Sequence, residues 1–230
     1  MSRYLCLFAI LLFSSPLMAV PIGSNDIVTI DGREWAQPDL FDRLSWLDIR
    51  AQCPFSPNAS VCSLDSNLNG YDLAGWVWAS GDDLKQLFNR YLTVAGYGSD
   101  ELLDADTDRV HQSPASQDFA SLFFEDFRLT SNVNGNRPMV IGWQSTLLGN
   151  PPRTSARIVR LDDPNELHSV SAWVNEARLA TAFPAPGVGA WFYREKDTVE
   201  PIPAPGTHLL ILLGLWRLFG NVHCRRAERP

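Results

Sequence analysis

The residue pattern predicts an α+β domain in which helices pack on an antiparallel sheet. Apolar stripes at helical spacing, each with a capping residue before it, occupy the first half and the middle of the chain. Residues of β character are grouped after them, over Pro138–Leu147, Ala156–Leu161 and Val188–Tyr193. The two kinds of segment do not alternate in the strand–helix–strand order that builds a parallel sheet. A core is affordable, because 45% of the 230 residues are hydrophobic, 20% are charged, and eight Trp and twelve Phe each bury a large area. That composition argues against disorder in the middle of the chain.

Taken in order, Ile27–Ile30 and Arg33–Trp35 form two short strands turning at Asp31-Gly32, a favoured two-residue hairpin signal. Ser45-Trp46-Leu47-Asp48 has the form of a capping box and starts a helix running to about Gln52. Ser80 caps a clearer helix, with Leu84, Leu87, Phe88, Tyr91 and Leu92 on one face and Gly96 at its end. Asp100 to Pro114 is acidic and polar and reads as a loop. Ser116 caps a third helix, striped by Phe119, Leu122, Phe123 and Phe127. The segment Ser169–Phe183 fits strand or helix.

Several residues are candidates for chemistry. Cys53 and Cys62 are the only cysteines in residues 20–198, and in an oxidising compartment they pair. The competing reading, a zinc site, needs four ligands, and only His111 and His168 are there to assist. Asp65, Asn67 and Asn69 before Gly70 match the first half of an EF-hand-like calcium loop, but Trp76 stands where its bidentate glutamate belongs; the simpler reading is an Asn-Gly turn. Asp104, Asp106 and Asp108 form a second carboxylate cluster, read either as a cation loop or as a solvated acidic one. No cofactor other than calcium is expected. A nucleophile elbow, an HExxH helix and a P-loop are absent from the sequence, which leaves His111 and His168 as the bases for any Ser-His-Asp arrangement.

The order Leu44-Ser45-Trp46, Cys53, Gly70-Tyr71-Asp72-Leu73-Ala74-Gly75-Trp76-Val77-Trp78-Ala79 and Leu84-Lys85-Gln86-Leu87-Phe88 resembles the helix, glycine-tryptophan loop and second helix of Lcl-type exported bacterial domains. This resemblance implies a C-type-lectin-like fold. Sugar binding in such a fold uses a proline-flanked pair of oxygen ligands and a Trp-Asn-Asp strand. Asp163-Pro164-Asn165 and Trp173-Val174-Asn175 imitate these, and Gln37-Pro38-Asp39 copies a galactose-type motif elsewhere in the chain. All three are read as turn or core residues.

The ends carry the localisation. Arg3, the apolar run Tyr4–Phe13 and the small residue Ala19 form a secretory signal peptide over residues 1–19, the alternative being a retained anchor. After the exported domain of residues 20–198 comes a stiff Pro-rich linker, 199–208, and then an apolar helix, 209–230, broken by Arg217 and ending in Arg225, Arg226 and Arg229. The set Pro203-Ala204-Pro205, apolar helix, Arg225-Arg226 resembles the PEP-CTERM sorting signal of exopolysaccharide-producing Gram-negative bacteria, with Ala204 in place of the glutamate. The resemblance implies processing by a membrane exosortase.

The net charge is -7. Arg3, Arg217, Arg225, Arg226 and Arg229 with Glu228 lie in the ends, so 14 basic and 25 acidic residues remain between them, a charge of about -11. Such a surface repels phosphate backbones, so nucleic acid is not expected as a partner. The expected protein is a non-enzymatic surface or extracellular-matrix protein. Its partners are the Sec export machinery and signal peptidase, an exosortase-type enzyme and extracellular polysaccharide, and it passes the periplasmic face of the inner membrane on its way to the cell surface. The rival readings are a secreted hydrolase acting on that polysaccharide and a calcium-dependent carbohydrate-binding module.

Overall fold

A computed structural model describes residues 19–55, 60–112, 117–148, 153–162, 168–176 and 181–196. Residues 1–18 of the expected signal peptide, the expected linker and apolar tail with Pro203, Ala204, Pro205, Arg225 and Arg226, and Asp163-Pro164-Asn165 lie outside those residues.

The first half is built on local signals. β1 (Val20–Pro21) leads to the hairpin β2 (Ile27–Ile30) and β3 (Arg33–Ala36), which turns at Asp31 and Gly32, both with positive φ. Helix α1 (Trp46–Gln52) begins at Ser45, whose hydroxyl accepts from the Asp48 N–H while the Asp48 carboxylate accepts from the Ser45 N–H. The short strands β4 (Ser60–Val61), β5 (Asn67–Leu68), β6 (Tyr71–Asp72) and β7 (Val77–Trp78) follow. Helix α2 (Gly81–Val94) has the same reciprocal cap between Ser80 and Asp83, each such cap being worth ~1 kcal/mol. The disulfide Cys53–Cys62 ties the end of α1 to β4.

Next come β8 (Arg109–Gln112), α3 (Phe119–Asp126), β9 (Ser131–Val133), β10 (Arg137–Leu148), β11 (Arg153–Leu161), β12 (Ser169–Glu176), β13 (Gly189–Ala190) and β14 (Phe192–Glu195). The expected helices and grouped strands are present, and the architecture is α+β. Three details differ from expectation, two of them in this half. β8 lies inside the stretch read as a loop: it is an edge strand with one buried apolar residue, Val110, so its composition looks like loop and its pairing with β12 makes it strand. Helix α3 starts at Asp118, whose carboxylate accepts from the Ser121 N–H, while Ser116 lies outside the described residues. The ambiguous Ser169–Phe183 segment resolves as strand over Ser169–Glu176.

Among the described residues three sheets form, of orders β1-β6-β5, β13-β10-β11-β12-β8 with β9 beside β10, and β2-β3-β14-β7-β4. Their pairings are antiparallel except β1 with β6 and β10 with β13. Alternation along the strands of the large sheet creates two faces. Val140, Ala156, Ile158, Val170, Ala172 and Val174 face α2 and α3, where Leu84, Phe88, Phe119 and Phe123 complete one core. Met139, Ile141, Trp143 and Val159 point the other way, into a second core with Trp46, Ile49, Trp76, Trp78 and the disulfide.

The run read as one strand over Val188–Tyr193 is split at Trp191, where the chain leaves the large sheet and joins the β3–β7 sheet. The crossing is tight. A Cβ at Gly189 would stand 1.9 Å from the Pro38 carbonyl oxygen, so only glycine fits. Among the described residues no helix is long and apolar enough to cross a membrane.

Candidate functional site

On the face of the large sheet that meets the second core, residues of β8, β10, β11 and β12 line the candidate site. The strand registers place Arg157 of β11, Trp173 of β12 and Arg109 of β8 in one cross-strand row. The next row holds Met139, Val159, Ser171 and His111. A third has Leu161 opposite Ser169, with Arg137 two residues along β10 from Met139. Side chains in these rows share a face because each differs from its strand neighbour by two residues. They line an open groove of about 290 Å³.

The chemistry of the groove is cationic and aromatic. The Arg109 guanidinium carbon lies 4.1 Å from the Trp173 ring centroid and that of Arg157 lies 4.9 Å from it, both within cation–π range. Arg157 is buried, its Nε 2.9 Å from Glu176 Oε2, an ion pair shielded from solvent. Arg109 is exposed and Arg137 half-buried. No carboxylate lines the groove among the described residues. Ser171 and His111 are cross-strand neighbours, with His111 Nδ1 2.6 Å from Ser171 Oγ.

The residues singled out from the sequence fall in different places. Trp173 lies in the groove, whereas Asn175, with φ at 57°, is turned into a buried polar cluster in which it accepts from Gln144 and donates to Asp108. Gln37 is buried and holds the backbone of Asp126 and Arg128, while Asp39 pairs with Arg128. In the first calcium-like segment, Asn67 accepts from the Gly70 N–H and the Asn69 amide donates to the carbonyls of Leu40 and Asp42, so both side chains fasten the turn; Asp65 is exposed. In the second, Asp104 accepts from the N–H groups of Asp106 and Thr107, and these bonds hold its carboxyl below the usual range. Asp108 pairs with the buried ammonium of Lys85 at 2.8 Å, and Asp106 is exposed. Among the described residues no three His, Cys, Asp or Glu side chains come close enough to hold a metal. His168 sits 2.8 Å from Asp162, on an exposed strand end.

The sequence reading missed Arg109, Arg137, Arg157 and Ser171 as parts of a site. Their signal is an alternation, Arg109/His111, Arg157/Val159/Leu161 and Ser169/Ser171/Trp173, that becomes a surface only once the strands are in register. No family model, curated protein or solved structure matches the chain.

Proposed function

We propose that the chain is an exported, non-enzymatic surface or extracellular-matrix protein that associates with polysaccharide through the groove around Trp173. The observation that carries the reading is the row Arg157–Trp173–Arg109, an aromatic ring and two guanidinium groups side by side on one sheet face. Hydroxyl-rich polymers are held by such platforms, with apolar ring surface for C–H groups and rigid N–H donors for oxygens. The disulfide suits the oxidising compartment to which the signal peptide directs the chain. Sorting through the Pro203-Ala204-Pro205 motif, exosortase processing of the tail, and a C-type-lectin-like descent of residues 44–88 belong to the same proposal and rest on the resemblances of those segments.

Electrophoresis through gels containing the host's own extracellular polysaccharide tests the binding. The wild-type protein should be retarded and Trp173→Ala much less so; equal mobility with and without polymer sinks the reading. Mass analysis of the protein from its host tests the sorting, which an intact mass ending at Pro230 would exclude.

One observation favours the hydrolase reading, the 2.6 Å contact between His111 and Ser171. A Ser-His pair needs a third group to orient the imidazole and donors for the oxyanion. Among the described groove residues there is no carboxylate to orient it, and the contact follows from the direct cross-strand pairing of the two residues. A wild-type protein that cleaves no polysaccharide removes this reading, and activity retained in Ser171→Ala removes the Ser171–His111 pair as its basis.

A further inference from the structure

We infer that the groove selects polysaccharide bearing oxyanions, carboxylate or sulfate, and that Arg109 and Arg137 are the residues that read the charge. The inference rests on the polysaccharide-binding reading and adds the class of polymer. Three features of the groove lead to it.

The first is that Trp173 is already engaged. Two guanidinium groups lie over its ring, at 4.1 and 4.9 Å, so ring surface left for stacking a neutral sugar is reduced. A guanidinium stacked on an aromatic keeps its N–H edge free, and that edge matches the paired oxygens of a carboxylate or sulfate. The second concerns charge balance. Arg157 is neutralised inside the fold by Glu176, whereas no carboxylate pairs with Arg109 or Arg137 among the described residues. The Nε of Arg137 also has no hydrogen-bond partner among the described residues.

The third feature is the spacing. Arg109 and Arg137 stand at opposite corners of the groove, three strand spacings apart across the sheet and four residues apart along it. Strand geometry makes that diagonal roughly 20 Å between backbones. Two arginines at opposite corners of one groove suit an oligosaccharide that carries more than one charged group. The acidic net charge of the remainder argues against a long phosphate duplex, which would meet repulsion wherever it came within a Debye length, about 8–10 Å, of acidic surface.

The test is affinity electrophoresis of the full-length protein in gels carrying polygalacturonate, its carboxyl-reduced neutral form, dextran sulfate, plain dextran or duplex DNA. The inference expects retardation by polygalacturonate or dextran sulfate, weakened by salt, with the neutral counterpart at least tenfold weaker; the better of the two anionic polymers names the oxyanion. Arg109→Gln with Arg137→Gln should lose about tenfold or more for the anionic polymer, while Arg43→Gln, an exposed arginine outside the groove, should lose little. Circular dichroism of each variant establishes that it is folded, and if the double variant is not, each single variant carries the test. Equal retardation by neutral and charged polymers overturns the charge selection and leaves the polysaccharide reading intact. Retardation by none of the polymers overturns both. Binding to DNA as strong as to either anionic polysaccharide also overturns the inference.

Discussion

Substituting Glu176 by Gln tests how Arg157 is held beneath the groove. The two side chains are 6% and 3% exposed, with Nε 2.9 Å from Oε2, so water screens their attraction little. The amide has nearly the same shape as the carboxylate and no charge, so the buried Arg157 cation would lose this counterion. Removing one partner of a buried pair costs about 3–5 kcal/mol. With a urea m-value of about 2 kcal/mol/M, the lower figure moves the unfolding midpoint down by about 1.5 M. Replacing both partners by apolar residues, Arg157→Met with Glu176→Leu, removes the charge and its desolvation together and should return stability to within about 1 kcal/mol of the wild type. Arg194 and Glu34 supply an internal control: that pair is 2.7 Å apart but 44% and 20% exposed, and Glu34→Gln should cost under about 1 kcal/mol. Salt at about 1 M should abolish the control effect and leave the Glu176→Gln deficit largely intact. A midpoint shift for Glu176→Gln no larger than that for Glu34→Gln would refute the buried-pair account, because Arg157 would then be hydrated in place.

Three further outcomes follow from the geometry. Gly189→Ala should lose about 3 kcal/mol or more in urea unfolding, since its Cβ would meet backbone oxygen at 1.9 Å with no flexible group to yield; a loss below about 1 kcal/mol would show the crossing to be looser than that contact implies. Ser45→Ala removes a cap worth ~1 kcal/mol at neutral pH. The Ser45 hydroxyl, then its N–H, hold the Asp48 carboxyl below its usual value, so this stabilisation is present above the ordinary carboxylate range near pH 4 and is lost as pH falls through the lower folded value. Urea midpoints followed from pH 6 to 2 should therefore converge for wild type and Ser45→Ala, and parallel curves would count against the assignment. Cys53→Ala with Cys62→Ala should cost about 2.5 kcal/mol, the loop entropy of a cross-link spanning 9 positions, read as a lowered thermal midpoint relative to the oxidised protein.

The elements legible in the sequence are those that interact with themselves. Ser45 meets Asp48 and Ser80 meets Asp83 three residues on, and Asp31-Gly32 turns a hairpin whose strands are adjacent in the chain. The cysteines nine positions apart are also local, and the α2 stripe is read directly from its period. β8 was illegible because its strand state comes from a partner about sixty residues later, and Asn175 because its inward turn depends on Gln144 and Asp108. The acidic segments looked like cation loops because sequence counts oxygens and not their occupation. Asp104 and Asn67 accept from nearby backbone N–H groups, and Asp108 meets Lys85 from a helix that sequence spacing does not bring near.

Residue order alone was enough for the α+β class, the starts of α1 and α2, the hairpin and the pairing of Cys53 with Cys62, because each depends on period or on partners a few residues apart. The groove needed the assembled sheet. Arg109, Arg157 and Trp173 come from three strands, and what joins them is register, which a slip of one residue would undo by turning every one of these side chains to the opposite face. The register is held in turn by the cores on both sides of the sheet, a property of the whole fold and of no single segment.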